Sequence, residues 1–416
     1  MNVKYSGILK FVKTGILYLL TFFIILNCHS VYNNAIETDY HITLIIMILV
    51  VFLVFIEMSN KLKKSSLKKW ANFIAFYFLF CIVFIIFSVS VDSFSSFLLR
   101  FMVFFPLMLL INISETKKGN EYLFLKAYVN IMLIICVVSL FFWVFGSNLK
   151  IISPNMHIYA HWGEDFYYPG YFGLYFERQS SSFLFYEGIR NSAFFAEGPM
   201  YSLCLVLALS FQMFLFENEK HGLLKNIILI VGIISTVTTT GFCLLLMIIS
   251  LKFIRFKGKN SAFKGFKWLL TVILLVVVAN VGISIFVEKS TSFSWGVRFN
   301  TLRVAYLSLL RNPLFGGGYG NEEVLYSFHN YISGYVSYSS GLSTVICQGG
   351  ILLLMFYIFP FLGGLKNIIS KNVLTGLFCV ILIYFMEFIF TYWPYTFLIL
   401  SILSVFYSLK ICHKIA

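Results

Sequence analysis

The chain has 416 residues, 60% of them hydrophobic and 12% charged, with a formal net charge of +14. Apolar runs near 20 residues recur from end to end, each long enough to cross a bilayer as a helix, which excludes an ordinary soluble domain. Most lysines gather at the ends of these runs, so anionic lipid heads and positive-inside sorting explain the charge, and nucleic acid does not.

These features predict an all-α polytopic membrane protein, a single integral membrane domain over 1–416. Lys4, Lys10 and Lys13 precede an apolar run from Thr14 to Cys28. That resembles a signal sequence, but no small-residue cleavage site follows, so the segment reads as an uncleaved first helix. Helices are expected near 14–32, 41–58, 71–91, 95–113, 122–145, 197–216, 226–239, 241–256, 268–287, 343–362, 373–391 and 395–411, about 12 crossings in all. The eight cysteines have no paired spacing and lie mostly inside apolar runs. They read as small core residues, with neither a disulfide framework nor a metal site.

Alternating the crossings from a cytoplasmic N-terminus places nearly all lysines inside, with both termini cytoplasmic. Lys150 and Lys289 fall outside, with five of the seven arginines: Arg178, Arg190, Arg298, Arg303 and Arg311. Positive-inside sorting does not explain outward arginines. Arg binds phosphate with a planar two-pronged donor set, so an anionic headgroup at the outer leaflet is the expected ligand.

Two segments are too long and polar for simple turns. Outer loop A, 146–196, is rich in Tyr and carries Glu164, Asp165, Glu177, Arg178, Glu187 and Arg190. Outer loop B, 288–342, begins with Phe299, Leu302, Tyr306 and Leu309 at helical spacing, which predicts an amphipathic surface helix ending before Pro313. Between 226 and 256, Thr238-Thr239-Thr240-Gly241 divides two short apolar runs. A turn whose hydroxyls satisfy freed backbone groups competes with one kinked helix.

Several residues carry chemistry. Arg298, Arg303 and Arg311 precede a glycine loop containing Gly316 and Gly318, whose N–H groups could face an anion. No Lys-Ser/Thr follows, so this is no nucleotide P-loop. His329, followed by Asn330, can accept a proton from a sugar hydroxyl. Glu197 and Pro199 suit the first turn of a helix, which leaves Arg190 unexplained. Arg100 and Glu387 lie inside predicted spans, where they either pair with each other or leave Arg100 for a phosphate.

These motifs resemble the O-antigen polymerase and O-antigen ligase superfamily. The resemblance rests on Arg190 to Pro199, the Thr239–Gly241 apex, and Asn312-Pro-Leu-Phe-Gly-x-Gly-x-Gly-Asn321 followed by His329-Asn330. It covers most of the chain. The family commonly has Arg-x-x-Gly-x-Phe-x-Glu-Pro, whereas here Ala193 replaces the Gly and Gly198 separates Glu197 from Pro199. The resemblance implies a GT-C-like glycosyltransferase of the bacterial cytoplasmic membrane. Its substrate would be a polyprenyl-diphosphate-linked oligosaccharide repeat unit, polymerised at the outer leaflet without cofactor or metal. Arg190, Arg303, Arg311 and Arg100 would hold the diphosphate, and Arg298 and His329 would be catalytic. Glu197, Asn330, Gly316 and Gly318 would shape the site. Partners would be the bilayer, a flippase and a chain-length regulator, with no nucleic acid. A ligase acting on another acceptor, or a flippase for the same lipid-linked glycan, are the alternatives.

Overall fold

The computed structural model describes residues 2–34, 36, 38–59, 64–88, 93–160, 166–183, 186–255, 293–328, 340–371 and 375–412. The protein is mostly helical. Among the described residues six helices are long and apolar enough to cross a membrane, counting from Ile8 in the first and to Leu365 in the last. They are α1 (Asn2–Leu26), α3 (Asp39–Ser59), α4 (Lys64–Ser88), α5 (Phe94–Lys118), α6 (Leu123–Asn148) and α12 (Gly341–Lys371), with a short α2 (Val31–Asn34) after α1. Shorter apolar helices are α7 (Gly198–Phe214), α8 (Gly222–Ser235), α13 (Gly376–Phe390) and α14 (Phe397–Ile411). Helices α9 (Thr239–Arg255), α10 (Phe293–Arg311) and α11 (Glu323–Phe328) complete the described set. The span expected near 268–287 lies outside the described residues.

Helices α7 and α14 are apolar on nearly every face and correspondingly buried, as central helices must be. Around α7 pack α6, α8, α9 and α13, and α14 packs along α5. The turn between α8 and α9 is Thr236-Val237-Thr238, one step before the expected Thr–Gly apex, whose Thr239, Thr240 and Gly241 form the first turn of α9. Val237 takes a left-handed φ of 50°, and the Thr236 hydroxyl donates to the Ile233 carbonyl at 2.7 Å and meets the Thr238 hydroxyl at 3.0 Å.

Charge sorts to the two ends of the bundle. At one end Lys13 of α1 bridges Glu57 of α3 and Glu115 of α5, and Lys118 bonds the same two carboxylates at 2.6 and 3.1 Å. Ser114 donates to Glu57 at 2.5 Å and the Asn120 amide to Glu115 at 3.1 Å. Buried charges persist when paired and hydrogen-bonded in this way. More exposed pairs, Lys126–Glu219, Lys225–Glu219 and Lys252–Glu217, stand at 2.6, 2.7 and 2.6 Å. The opposite end holds the C-termini of α1, α4 and α6, the N-termini of α5, α7 and α12, and the described strands of loop A.

Loop A departs from an all-α fold. It forms a three-stranded antiparallel sheet, β1 (Met156–Ala160), β2 (Phe166–Tyr171) and β3 (Tyr175–Phe176), and a hairpin of β4 (Ser180–Phe183) with β5 (Tyr186–Ile189). Aromatic residues favour strands. The β2–β3 turn places Phe172 and Gly173 at φ 52° and 72°, the two positive values of a tight hairpin turn. In loop B, α10 buries Thr301, Val304, Ala305 and Ser308 and exposes Leu302, Tyr306 and Leu310. Its outward face therefore combines these apolar side chains with Arg303 and Arg311, as suits a helix lying in a membrane interface.

Beyond α10 the glycine loop docks into a break in α12. Gly350 has φ 59° and ψ −155°, which interrupts the helical ladder. The loop repairs it. Gly317 N–H donates to the Cys347 carbonyl at 2.7 Å and Gly318 N–H to that of Gln348 at 3.1 Å, while Ile351 and Leu352 N–H donate back to Pro313 and Leu314 at 2.9 and 3.2 Å. Ser88 at the end of α4 joins in: its hydroxyl donates to the Phe315 carbonyl at 2.5 Å and its own carbonyl accepts from Tyr319 N–H at 2.5 Å. A Cβ on Gly316 would stand 2.7 Å from the Cys347 carbonyl oxygen and the Gly350 nitrogen; one on Gly350 would stand 2.6 Å from the Leu314 carbonyl.

Gly316→Ala and Gly350→Ala should each cost more than about 3 kcal/mol, because backbone meets backbone and cannot yield. At Gly15 a methyl group would meet no atom within 4 Å, so Gly15→Ala should bring no loss and up to about 1 kcal/mol of gain. Thermal unfolding of the purified variants in detergent measures both; equal stability for all three would refute the docking.

Candidate functional site

The end of the bundle opposite the lysine cluster is built where the turn after α1 meets the last residues of loop A. Ala196 N–H donates to the His29 carbonyl and Val31 N–H to that of Phe194, both at 2.9 Å. Asn191 anchors the same stretch to α6 and α8. Its amide nitrogen donates to the hydroxyls of Ser139 and Ser235 at 3.2 and 3.0 Å, and its backbone N–H to the Ser235 carbonyl at 2.9 Å. Asn191 Oδ1 accepts from Ala193 N–H at 3.0 Å, and Ala193 is held at φ 49°. Only Gly takes that conformation freely; for Ala it costs roughly 1–2 kcal/mol.

On this scaffold stand two guanidinium groups. Arg178 is buried, donates from Nε to the Ala196 carbonyl at 3.2 Å and lies 3.9 Å over the Tyr168 ring. Arg190 donates from Nη2 to Gln179 Oε1. Its side chain crosses Gly198, where a Cβ would come within 2.9 Å of Arg190 Cδ. The glycine that separates Glu197 from Pro199 is thus the surface on which Arg190 rests. Arg178 Nη1 and Arg190 Nε are buried nitrogens with no hydrogen-bond partner among the described residues. Burial lowers the pKa of both guanidinium groups, and the Glu197 carboxylate opposes that in each case. Glu197 begins α7 without capping it through its side chain; its charge bears on the two arginines instead. Among the described residues the Glu197 carboxylate is the one acidic group that bears on these two guanidinium groups, at the low-dielectric end of an apolar bundle. Such a place favours an anion.

His29 closes the site from the α1 side, its ring 4.0 Å from that of Trp393. Burial and then Arg178 push its pKa down to about 3, so it is neutral at ordinary pH.

The other expected site residues fall elsewhere. Arg100 lies in a π-helical stretch of α5, 5.8 Å from the Phe397 ring. No ion pair joins it to Glu387 among the described residues; Glu387 accepts from the Thr391 hydroxyl at 2.8 Å. Arg303 and Arg311 are exposed on α10, with Arg311 5.8 Å from the Phe328 ring. The glycine loop differs from its sequence-based expectation: the N–H groups of Gly316, Gly317, Gly318, Tyr319 and Gly320 are given to Asn312, Cys347, Gln348, Ser88 and the Gln348 side chain. They satisfy a broken helix and are not presented to a ligand. Arg298 lies in α10 but its side chain, like His329 and Asn330, is outside the described residues. Arg178 is the residue whose place in the site the sequence pattern did not single out; its only signal was its company among outward arginines.

Comparison with known proteins adds no relative: no known family profile, no curated protein and no solved structure matches this chain.

The depressed His29 pKa sets a pH dependence. An unfolded His titrates near 6.5, so between roughly pH 3 and 6.5 the unfolded chain binds the extra proton. The stability is full above 6.5 and is lost as pH falls, at up to about 1.4 kcal/mol per pH unit. His29→Phe keeps the stack on Trp393 and removes the titration. Its melting temperature should fall less than that of the wild type between pH 6.5 and 4.5; parallel profiles would show that His29 is not held neutral.

Proposed function

We propose that this chain is a polymerase of polyprenyl-diphosphate-linked oligosaccharide repeat units, a metal-independent membrane glycosyltransferase of the O-antigen polymerase and ligase type. It would be GT-C-like, with about 12 crossings. The observation that supports the reading is the pair Arg178 and Arg190, each with a buried guanidinium nitrogen that has no hydrogen bond among the described residues, and each influenced by the Glu197 carboxylate. A diphosphate leaves only when its developing charge is neutralised. Fixed guanidinium groups can do this, each such donor contributing roughly 10²–10³ in rate. His329, by its place after the glycine loop, would take the proton of the attacking hydroxyl.

A flippase needs charge along a path through the bilayer. Among the described residues, ionised side chains concentrate at the two ends of the bundle, and Arg100 and Glu387 do not join into a path. A ligase that transfers the finished glycan to another acceptor would use the same diphosphate site and remains the second reading. The enzyme would sit in the bacterial cytoplasmic membrane with the arginine end outside and both termini inside, working with a flippase and a chain-length regulator.

Arg178→Ala and Arg190→Ala should cut polymer at least about 100-fold while the protein accumulates normally, leaving single lipid-linked repeats at the outer leaflet. Arg190→Lys should rescue little, because a point charge does not reproduce the two-pronged donor. Normal polymer from well-expressed Arg190→Ala cells would sink the assignment. Sidedness is read separately. A cysteine at exposed Tyr326 should react with a membrane-impermeant maleimide on intact cells, and one at exposed Asn218 only after permeabilisation. The reverse pattern would place the arginine end in the cytoplasm.

A further inference from the structure

A second polar site lies apart from Arg178 and Arg190. The last turn of α10, the glycine loop and α11 enclose a cleft of about 320 Å³, lined by Arg311, Asn312, Asn321, Glu323, Ser327 and Phe328 among others. That volume is at the lower end of small-ligand sites. The cleft is rigid on its loop side, because the glycine loop is bonded into the broken α12. Asn321 is fixed as well: its amide donates to the Gly317 carbonyl at 3.0 Å and its Oδ1 accepts from Glu323 N–H at 2.9 Å.

Among the described residues, three side chains in the cleft form no side-chain hydrogen bond or ion pair. They are the side-chain amide of Asn312, the Glu323 carboxylate and Arg311, whose guanidinium group lies 5.8 Å from the Phe328 ring. Donors and acceptors are therefore both on offer, beside an aromatic wall. A phosphate offers acceptors only and would meet the Glu323 carboxylate as a like charge. A pyranose fits this set better. Each sugar hydroxyl both donates and accepts, and the C–H face of the ring has an apolar surface to rest on.

We propose that this cleft is a carbohydrate subsite that holds a neutral or N-acetylated pyranose of the glycan, with Asn312 and Glu323 bonding its hydroxyls and Phe328 beneath its face. It rests on the polymerase reading for its place in the reaction, and it moves Arg311 from the diphosphate to the sugar. Asn312 and Glu323 are exposed, so Asn312→Ala and Glu323→Gln should fold as the wild type does.

The test is saturation-transfer NMR on the full-length protein in lipid nanodiscs. The probes are free glucose, galactose, rhamnose, N-acetylglucosamine and N-acetylgalactosamine, with inorganic pyrophosphate titrated in parallel. At least one sugar should show saturation transfer. Asn312→Ala and Glu323→Gln should each weaken its binding about tenfold, through a lost hydrogen bond to a charged or amide partner, and leave pyrophosphate affinity unchanged. Arg178→Ala should do the opposite. The cleft proposal is overturned if no sugar in the panel binds, if both variants bind sugar as the wild type does, or if Arg311→Ala abolishes pyrophosphate binding. Sugar binding lost in the variants, from a protein that extends no lipid-linked repeat, would uphold the cleft and remove the polymerase reading alone.

Discussion

Every backbone N–H and C=O inside an apolar bundle must be paired within the protein, and the break at Gly350 is where this chain meets that demand at greatest length. A helix interrupted in a bilayer frees groups that lipid cannot satisfy. Here the freed carbonyls of Cys347 and Gln348 are taken by Gly317 and Gly318, and the loop's own Pro313 and Leu314 carbonyls are taken by Ile351 and Leu352. The exchange requires backbone to approach backbone at Gly316 and Gly350, where no side chain fits. It fixes the glycine loop, and through it the end of α10, the start of α11 and the cleft between them. Tyr319 is locked by the same contact, buried among Phe97, Phe101 and Tyr395 at ring distances of 5.2, 5.8 and 4.8 Å.

Charge is distributed in the service of the same constraint. At one end five lysines are answered, Lys13 and Lys118 by two buried carboxylates, Lys126, Lys225 and Lys252 by Glu219 and Glu217; there too one buried nitrogen of Arg255, 3.9 Å from Glu217, has no hydrogen bond among the described residues. At the other end the Glu197 carboxylate bears on both Arg178 and Arg190, and each retains a buried nitrogen with no hydrogen bond among the described residues. A buried guanidinium without full partners costs free energy. A protein carries that cost readily where a ligand supplies the missing acceptors, which is the physical ground for placing an anion there.

The helical spans were legible because an apolar run of bilayer length seldom forms anything but a membrane helix; a break near Thr238 was legible from the threonine hydroxyls, but its turn is made by Thr236, Val237 and Thr238, and Gly241 lies within α9. Arg190 and Glu197 were legible as neighbours in one motif. The glycine loop was not. Arginines followed by glycines look the same whether the N–H groups meet an anion or a broken helix, and the partner residues Cys347 and Gln348 lie some thirty positions onward in the chain. Arg178 was unreadable for a similar reason: its contacts with Ala196, Tyr168 and the environment of His29 depend on how loop A folds back on the turn after α1. The strands of loop A were missed because its short aromatic–polar stretches carry no hydrophobic period. Arg100 and Glu387, both expected within spans, do not meet, since each finds local company in Phe397 and Thr391.

If Arg178 and Arg190 hold an anion and the cleft beside Arg311 holds a sugar, as proposed, the two together would suit transfer of a glycan from a lipid diphosphate. The direct measurement is made on the purified full-length protein in nanodiscs with lipid-linked repeat units as the sole substrate. The polymerase reading predicts glycans of increasing length and one polyprenyl diphosphate released per linkage formed, with both signals lost together in Arg190→Ala. Intact repeat units after prolonged incubation with well-folded protein, or glycan extension that proceeds unchanged in Arg190→Ala, would contradict it.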